Sequence, residues 1–215
     1  MKLNYKTYWR KTGLKGKWGN IYLERIFYHK PKNFLEIGVF CGVTARNTCD
    51  FLKEINGDSF NYIGIDLFGT NKSSLTDEIE PKFLENQKFS NPLKNIYYNL
   101  ILRENLNSKE SVKKLLKKYT KNIELIAGDT NSVLKEINLK NVNFVFLDGG
   151  HSYITVMNDL KTLYASLKGK NTVILCDDYG ESSFIKDVNS AVNDFIKEND
   201  VKFELIENRF AELIF

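Results

Sequence analysis

The sequence is poor in the residues that announce simple architectures. Its 215 residues include three cysteines, three prolines and two histidines. The cysteines (Cys41, Cys49 and Cys176) are odd in number and match no zinc-ligand spacing, so a disulfide framework and a zinc module are both excluded; reduced thiols in a cytoplasmic protein are expected. No stretch approaches the roughly 18 consecutive apolar residues of a membrane span, and runs such as Phe144 to Leu147 are strand-sized. The lysines near the start are not followed by an apolar segment, so no secretory signal is expected. No internal repeat or low-complexity tract is present. Composition excludes collagen, coiled coil and wholesale disorder, because the chain is 42% hydrophobic and 27% charged. A chain of this length can bury a core without staples, and a single domain spanning 1–215 is expected.

Charge is unevenly spread. The formal net charge is +4, yet residues 1–32 hold nine basic residues and one acid, Glu24. That basic N-terminal arm interleaves Tyr5, Tyr8, Trp9 and Trp18. Such a segment can bind nucleic acid or an anionic ligand, or it can pack its aromatics on the domain and leave its lysines solvated.

Short apolar runs recur at Phe34–Gly38, Tyr62–Leu67, Ile123–Ala127, Val142–Leu147 and Thr172–Cys176. Their near-continuous apolar character predicts strands covered on both faces, as in a parallel sheet. Helical patterns lie between them. Tyr153, Val156, Met157, Leu160, Leu163, Tyr164 and Leu167 form one stripe after Ser152, closed by Gly169. Ser182–Lys197, Ser108–Tyr119 and Thr44–Ile55 read as further helices. The chain ends in two runs, Lys202–Ile206 and Phe210–Phe215, separated by Glu207, Asn208 and Arg209. That is hairpin spacing, so the last strand should be antiparallel. The expected fold is α/β, a Rossmann-like seven-stranded, mostly parallel sheet with helices on both faces and an antiparallel C-terminal hairpin. Residues 68–107 exceed a normal crossover and carry Pro81 and Pro92. An insert this long reads as a lid or substrate element, or as a helical decoration or homo-oligomer contact.

The strongest local signal is Phe34 to Thr44, FLEIGVFCGVT. A buried strand runs into Gly38, a loop, Gly42 and a helix. Gly38 suits a tight turn, and Gly42 suits close approach of a ligand to the helix N-terminus, where backbone N–H groups favour a carboxylate or phosphate. The spacing is not that of the nicotinamide-dinucleotide fingerprint. Asp66 and Asp129 end the second and third strands. Either can cap a turn, but as ends of successive parallel strands they share the edge where ligands bind. The fourth strand ends in Asp148-Gly149-Gly150-His151 and the fifth in Asp177-Asp178-Tyr179. Three carboxylates at adjacent strand ends suit a hard cation, Mg²⁺, Mn²⁺ or Ca²⁺; the alternative is turn and helix capping. His151 stands at a strand-to-helix turn, and an imidazole's ordinary pKa of ~6.5 suits proton acceptance near neutrality.

Together, Phe34–Thr44, Asp66 and the terminal hairpin resemble the class I S-adenosylmethionine-dependent methyltransferases. The Glu-x-Gly-x-x-Cys-Gly-x-Thr form resembles the small-molecule O-methyltransferases, catechol O-methyltransferase among them. The Asp-Gly-x-His-x-Tyr and Asp-Asp-Tyr segments resemble the metal-dependent branch that methylates sugars on macrolides and other glycosides. The resemblance implies S-adenosylmethionine at Gly38, Phe40, Gly42 and Thr44. Glu36 would organise the loop, Asp66 would hold the ribose, Asp129 would lie near the adenine, and Asp148 would border the cofactor. It implies a cation, Mg²⁺ or similar, on Asp148, Asp177 and Asp178, with His151 as base. Gly150 departs from relatives that carry a second Asp there, which favours His151 for that role. The implied acceptor is a small molecule, a sugar or sugar nucleotide. Nucleic-acid methylation is disfavoured because the fourth strand lacks an Asn/Asp-Pro-Pro-aromatic ending and no Pro-Cys nucleophile occurs. Methylation of a small amine and a non-catalytic cofactor-binding module remain as alternatives.

Overall fold

A computed structural model of the chain describes residues 3–69, 83, 88–181 and 185–215. Seven strands form one sheet: β1 (Asn33–Ile37), β2 (Asn61–Asp66), β3 (Ile123–Ala127), β4 (Phe144–Leu147), β5 (Val173–Cys176), β6 (Lys202–Ile206) and β7 (Phe210–Ile214). Their spatial order is β3-β2-β1-β4-β5-β7-β6. The first five are parallel, and β7 runs antiparallel between β5 and β6. The chain order therefore reverses beside β1, the switch point at which ligands bind in open α/β sheets.

Side chains alternate between two cores. Phe34, Phe144 and Phe146 face one way, against α1 (Lys17–His29), α2 (Val43–Asn56) and α4 (Lys109–Leu115). Leu35, Ile37, Val145 and Leu147 face the other, against α5 (Thr130–Glu136), α6 (Tyr153–Leu167) and α7 (Lys186–Glu198). Burial on both faces explains the near-continuous apolar runs of the central strands. In β1, β4 and β5 only Asn33 is not buried, whereas Lys202, Phe203, Glu204 and Leu205 of edge strand β6 are exposed.

The basic N-terminal stretch is not an arm throughout. Residues 17–29 are helical, and Tyr5, Leu14, Ile21, Tyr22, Leu23 and Ile26 enter the core. Arg25 and His29 on that helix both bond the buried carboxylate of Glu212 on β7, at 2.6–2.9 Å. In the insert, 70–82 and 84–87 lie outside the described residues. The rest carries α3 (Pro92–Ile96), which continues as a π-helical turn over Tyr97–Leu102. Phe83, Phe89, Tyr98 and Leu106 pack on Cys41 and Phe40 of the glycine loop. The opposite face exposes Leu93, Ile96, Leu100 and Ile101. The helix expected from Ser182 begins at Lys186; residues 182–184 lie outside the described residues. Among the described residues, no helix is long and apolar enough to cross a membrane.

Candidate active site

Register brings the predicted residues to one edge. Ile37 pairs with Ile65 and with Leu147, and Leu147 pairs with Cys176. The next residues are Gly38, Asp66, Asp148 and Asp177, which therefore emerge side by side at the carboxyl ends of β1, β2, β4 and β5. A larger depression lies at the opposite edge, lined by Asn33, Asn61 and Asn122, but ligands in such sheets bind at the carboxyl ends.

The glycine loop is held from β2. One oxygen of Asp66 accepts the backbone N–H groups of Val39 and Phe40 at 2.6 and 2.8 Å; the other accepts that of Phe68 at 2.6 Å. Glu36 does not share that work. It is fully buried below the loop, accepts the Tyr62 hydroxyl at 2.9 Å, and its other oxygen has no hydrogen-bond partner. Burial pushes its carboxyl well above the usual carboxylate range. Gly38 has φ +90°, and a Cβ there would stand 1.8 Å from the backbone oxygen of Asp148. Glycine is required by the approach of β4. Gly42, at φ +75°, faces Val112 and Leu115 of α4, whose side chains would lie 3.0 and 3.3 Å from a Cβ. A side chain at this position would press on α4. Gly42 is the N-cap of α2, and neither an acid nor a side-chain cap occupies that helix's first turn. Its N–H groups are suited to a ligand carboxylate.

Thr44, in that turn, bonds the Tyr5 hydroxyl at 2.8 Å. The N-terminal segment thus roofs the start of α2. Arg10 ties it down, donating to the carbonyls of Cys41, Leu106 and Ser111 at 3.1–3.3 Å. Tyr8 bonds Asp50, which also accepts from Tyr119, Lys118 and Arg46. Asp129 is the N-cap of α5, accepting from Asn131.

At the acidic edge, one ligand atom each from Asp148, His151 and Asp178 lie within 4.8 Å of one another. His151 Nε2 is 3.6 Å from Asp178 Oδ2. Burial, with the Asp177 and Asp178 charges adding, pushes the Asp148 carboxyl well above its usual range. A cation relieves such crowding, and the carboxylate oxygens of Asp148 and Asp178 suit a hard one, with the imidazole alongside. Asp177 is placed otherwise. Arg209 grips it with two hydrogen bonds, Nε to Oδ1 at 2.7 Å and Nη2 to Oδ2 at 2.8 Å. The expected trio of Asp148, Asp177 and Asp178 is therefore not what converges; His151 stands in the third place.

A methyltransferase-domain family matches residues 35–179, a span that begins in β1 and ends just after Asp178. The chain belongs to that methyltransferase family. No curated protein sequence matches it. The S-adenosylhomocysteine-bound methyltransferase PaMTH1 of Podospora anserina shares the fold at TM-score 0.57 and 16% identity, over 93% of this chain and 79% of that one. The calicheamicin methyltransferase CalS11 aligns at 0.59 and 17%, over 90% and 76%. The O-methyltransferase NovP aligns at 0.57 and 14%, over 92% and 80%. Family and fold together make this enzyme a class I S-adenosylmethionine-dependent methyltransferase.

In this methyltransferase, two tyrosines near the acidic edge are committed elsewhere. The Tyr153 hydroxyl bonds Asp194 at 3.2 Å and the Tyr179 hydroxyl bonds Asn193 at 2.7 Å, both on α7. The His151 side chain, beside Asp178, is 53% exposed. The residue that sequence reasoning missed is Arg209. Its signal was its place in the terminal hairpin turn, since antiparallel pairing of Cys176 with Ala211 carries that turn to the end of β5.

Proposed function

We propose that the methyltransferase transfers a methyl group to a hydroxyl of a small molecule, a sugar or glycoside, with help from a divalent cation. The observation that carries this reading is the convergence of Asp148, His151 and Asp178 at the edge where the glycine loop ends. Likeness to the O-methyltransferase NovP and the calicheamicin methyltransferase CalS11 supports a small-molecule acceptor and transfer to oxygen. The sugar class rests on the Asp-Gly-x-His-x-Tyr and Asp-Asp-Tyr segments.

Bound S-adenosylmethionine supplies an electrophilic sulfonium methyl. Gly38, Phe40 and the first turn of α2 form its seat, with Asp66 keeping the loop amides in place and Asp129 at the adenine end. A divalent cation supplies Lewis-acid charge for an acceptor oxygen, and Asp148 and Asp178 are the carboxylates that would hold it. With the cation on the two carboxylates, His151 beside them would accept the acceptor's proton at a ring nitrogen. The N-terminal segment, with Phe83, Phe89, Tyr98 and Leu106, would shield the loop side from water.

The test is methyl transfer to a panel of glycosides with and without chelator. Loss of turnover in chelator and recovery with Mg²⁺ or Mn²⁺ are expected. Full turnover in excess chelator overturns the cation, and transfer confined to amines overturns the acceptor class.

A further inference from the structure

Of the three carboxylates at the ends of β4 and β5, one is already paired with a cation of the chain. The Asp177 side chain is 2% exposed and the Arg209 side chain 21%. The two-point geometry matches a guanidinium fork on a carboxylate. The Arg209 guanidinium is 5.5 Å from the Trp18 ring of α1 and 5.7 Å from its neighbour Phe210, so two adjoining rings line it. Its Nη2 reaches to 3.7 Å from Asp178 Oδ1. The charge is permanent, since guanidinium does not deprotonate in proteins.

We propose that Arg209 is a positioning residue that withdraws Asp177 from the cation's ligand set and holds a fixed positive charge beside it. The inference rests on the cation reading given under Proposed function. Its first consequence is that the ion is held by Asp148 and Asp178 with His151 alongside, and that Asp177 serves the hairpin. Its second is weak cation binding, because a permanent charge sits next to one of the two carboxylates. The acidic edge is thereby partly neutralised before any ion arrives, and the terminal hairpin becomes part of the site.

The experiment measures Mn²⁺ binding to the full chain by electron paramagnetic resonance, with melting temperature recorded alongside. Arg209→Gln removes the fixed charge and frees Asp177. Mn²⁺ should bind about tenfold tighter or more, the scale expected for losing one charge at a few ångströms in a partly buried site. A second variant guards against misfolding. Asp177→Leu with Arg209→Met replaces the ion pair by an apolar pair of similar volume, a change that buried pairs commonly tolerate. It should bind Mn²⁺ at least as tightly as the wild type, because Leu cannot ligate and none of the proposed ligands is lost. Asp148→Asn should abolish binding. Loss of Mn²⁺ in the Leu/Met variant while its fold persists would overturn the proposal by making Asp177 a ligand. Unchanged or weaker binding in folded Arg209→Gln would overturn it too. Absence of binding in wild type and Arg209→Gln alike would overturn the cation reading itself, and the proposal with it. Absence in the wild type with binding in Arg209→Gln would overturn the cation reading for the native enzyme, and the proposal with it.

Discussion

Substituting Gly38 with Ala tests how the site is assembled. Two costs are separable. The first is the dihedral: φ is +90°, and an L side chain in a left-handed conformation costs about 1–2 kcal/mol. The second is the approach of β4. The new Cβ would stand 1.8 Å from the Asp148 backbone oxygen and 2.9 Å from the Gly149 Cα, so the backbones must separate. Forced overpacking of this kind costs about 1–3 kcal/mol. The sum, about 2–5 kcal/mol, corresponds to a fall in Tm of about 4–20 °C for a domain of this size. Gly57→Ala is the control. Gly57 has φ +65° with nothing within 4 Å of a Cβ, so it carries the dihedral cost alone. The assay is differential scanning fluorimetry with and without S-adenosylhomocysteine. Gly38→Ala should melt well below Gly57→Ala and lose its stabilisation by the cofactor product, because Asp148 moves with its backbone. Equal Tm losses in the two variants, with cofactor stabilisation intact in both, would refute the close-approach argument.

Other outcomes are expected. Asp66→Ala removes the acceptor for three loop amides, and at about 1.5–3 kcal/mol for a hydrogen bond to a charged group it should weaken S-adenosylhomocysteine binding at least tenfold by calorimetry. His151→Ala should slow single-turnover methyl transfer about 10²- to 10⁴-fold, and its Tm should change little because the side chain is half exposed; a lowered Tm with an unchanged rate would make the histidine structural. Asp50 is held down at about 2: burial alone would raise it, but hydrogen bonds from Lys118, Tyr119 and Tyr8 and the Arg46 charge outweigh that. A depressed carboxyl contributes stability above its unfolded pKa and loses it as pH falls through the folded one, so the Tm of the wild type should drop between about pH 4 and 2 more steeply than that of Asp50→Asn.

The sheet was legible because its central strands are buried on both faces and write that fact as unbroken apolar runs. The hairpin was legible because three polar residues separate its last two runs. The helix Lys17–His29 was not foreseen, although Trp18, Ile21, Tyr22 and Ile26 fall at helical spacing; the density of basic residues drew attention to charge instead. In the site, strand ends pointed to Gly38, Asp66, Asp148, Asp177 and Asp178, and the register places these positions along one edge. They did not assign partners. Whether Glu36 or Asp66 holds the loop depends on height along the strands: Glu36 lies two residues below Gly38 and bonds Tyr62, whereas Asp66 stands level with Gly38 and reaches the loop amides. Arg209 lies 32 residues from Asp177 in sequence, and their pairing exists only through the β5–β7 register.

The most direct measurement is a crystal soaked with S-adenosylhomocysteine and Mn²⁺, phased to show the anomalous signal of the metal. The account predicts the methionyl carboxylate at the first turn of α2, an Mn²⁺ peak between Asp148 and Asp178, and Asp177 still on Arg209. A cofactor product bound away from the Gly38–Thr44 loop, or no metal at the ends of β4 and β5, would contradict it.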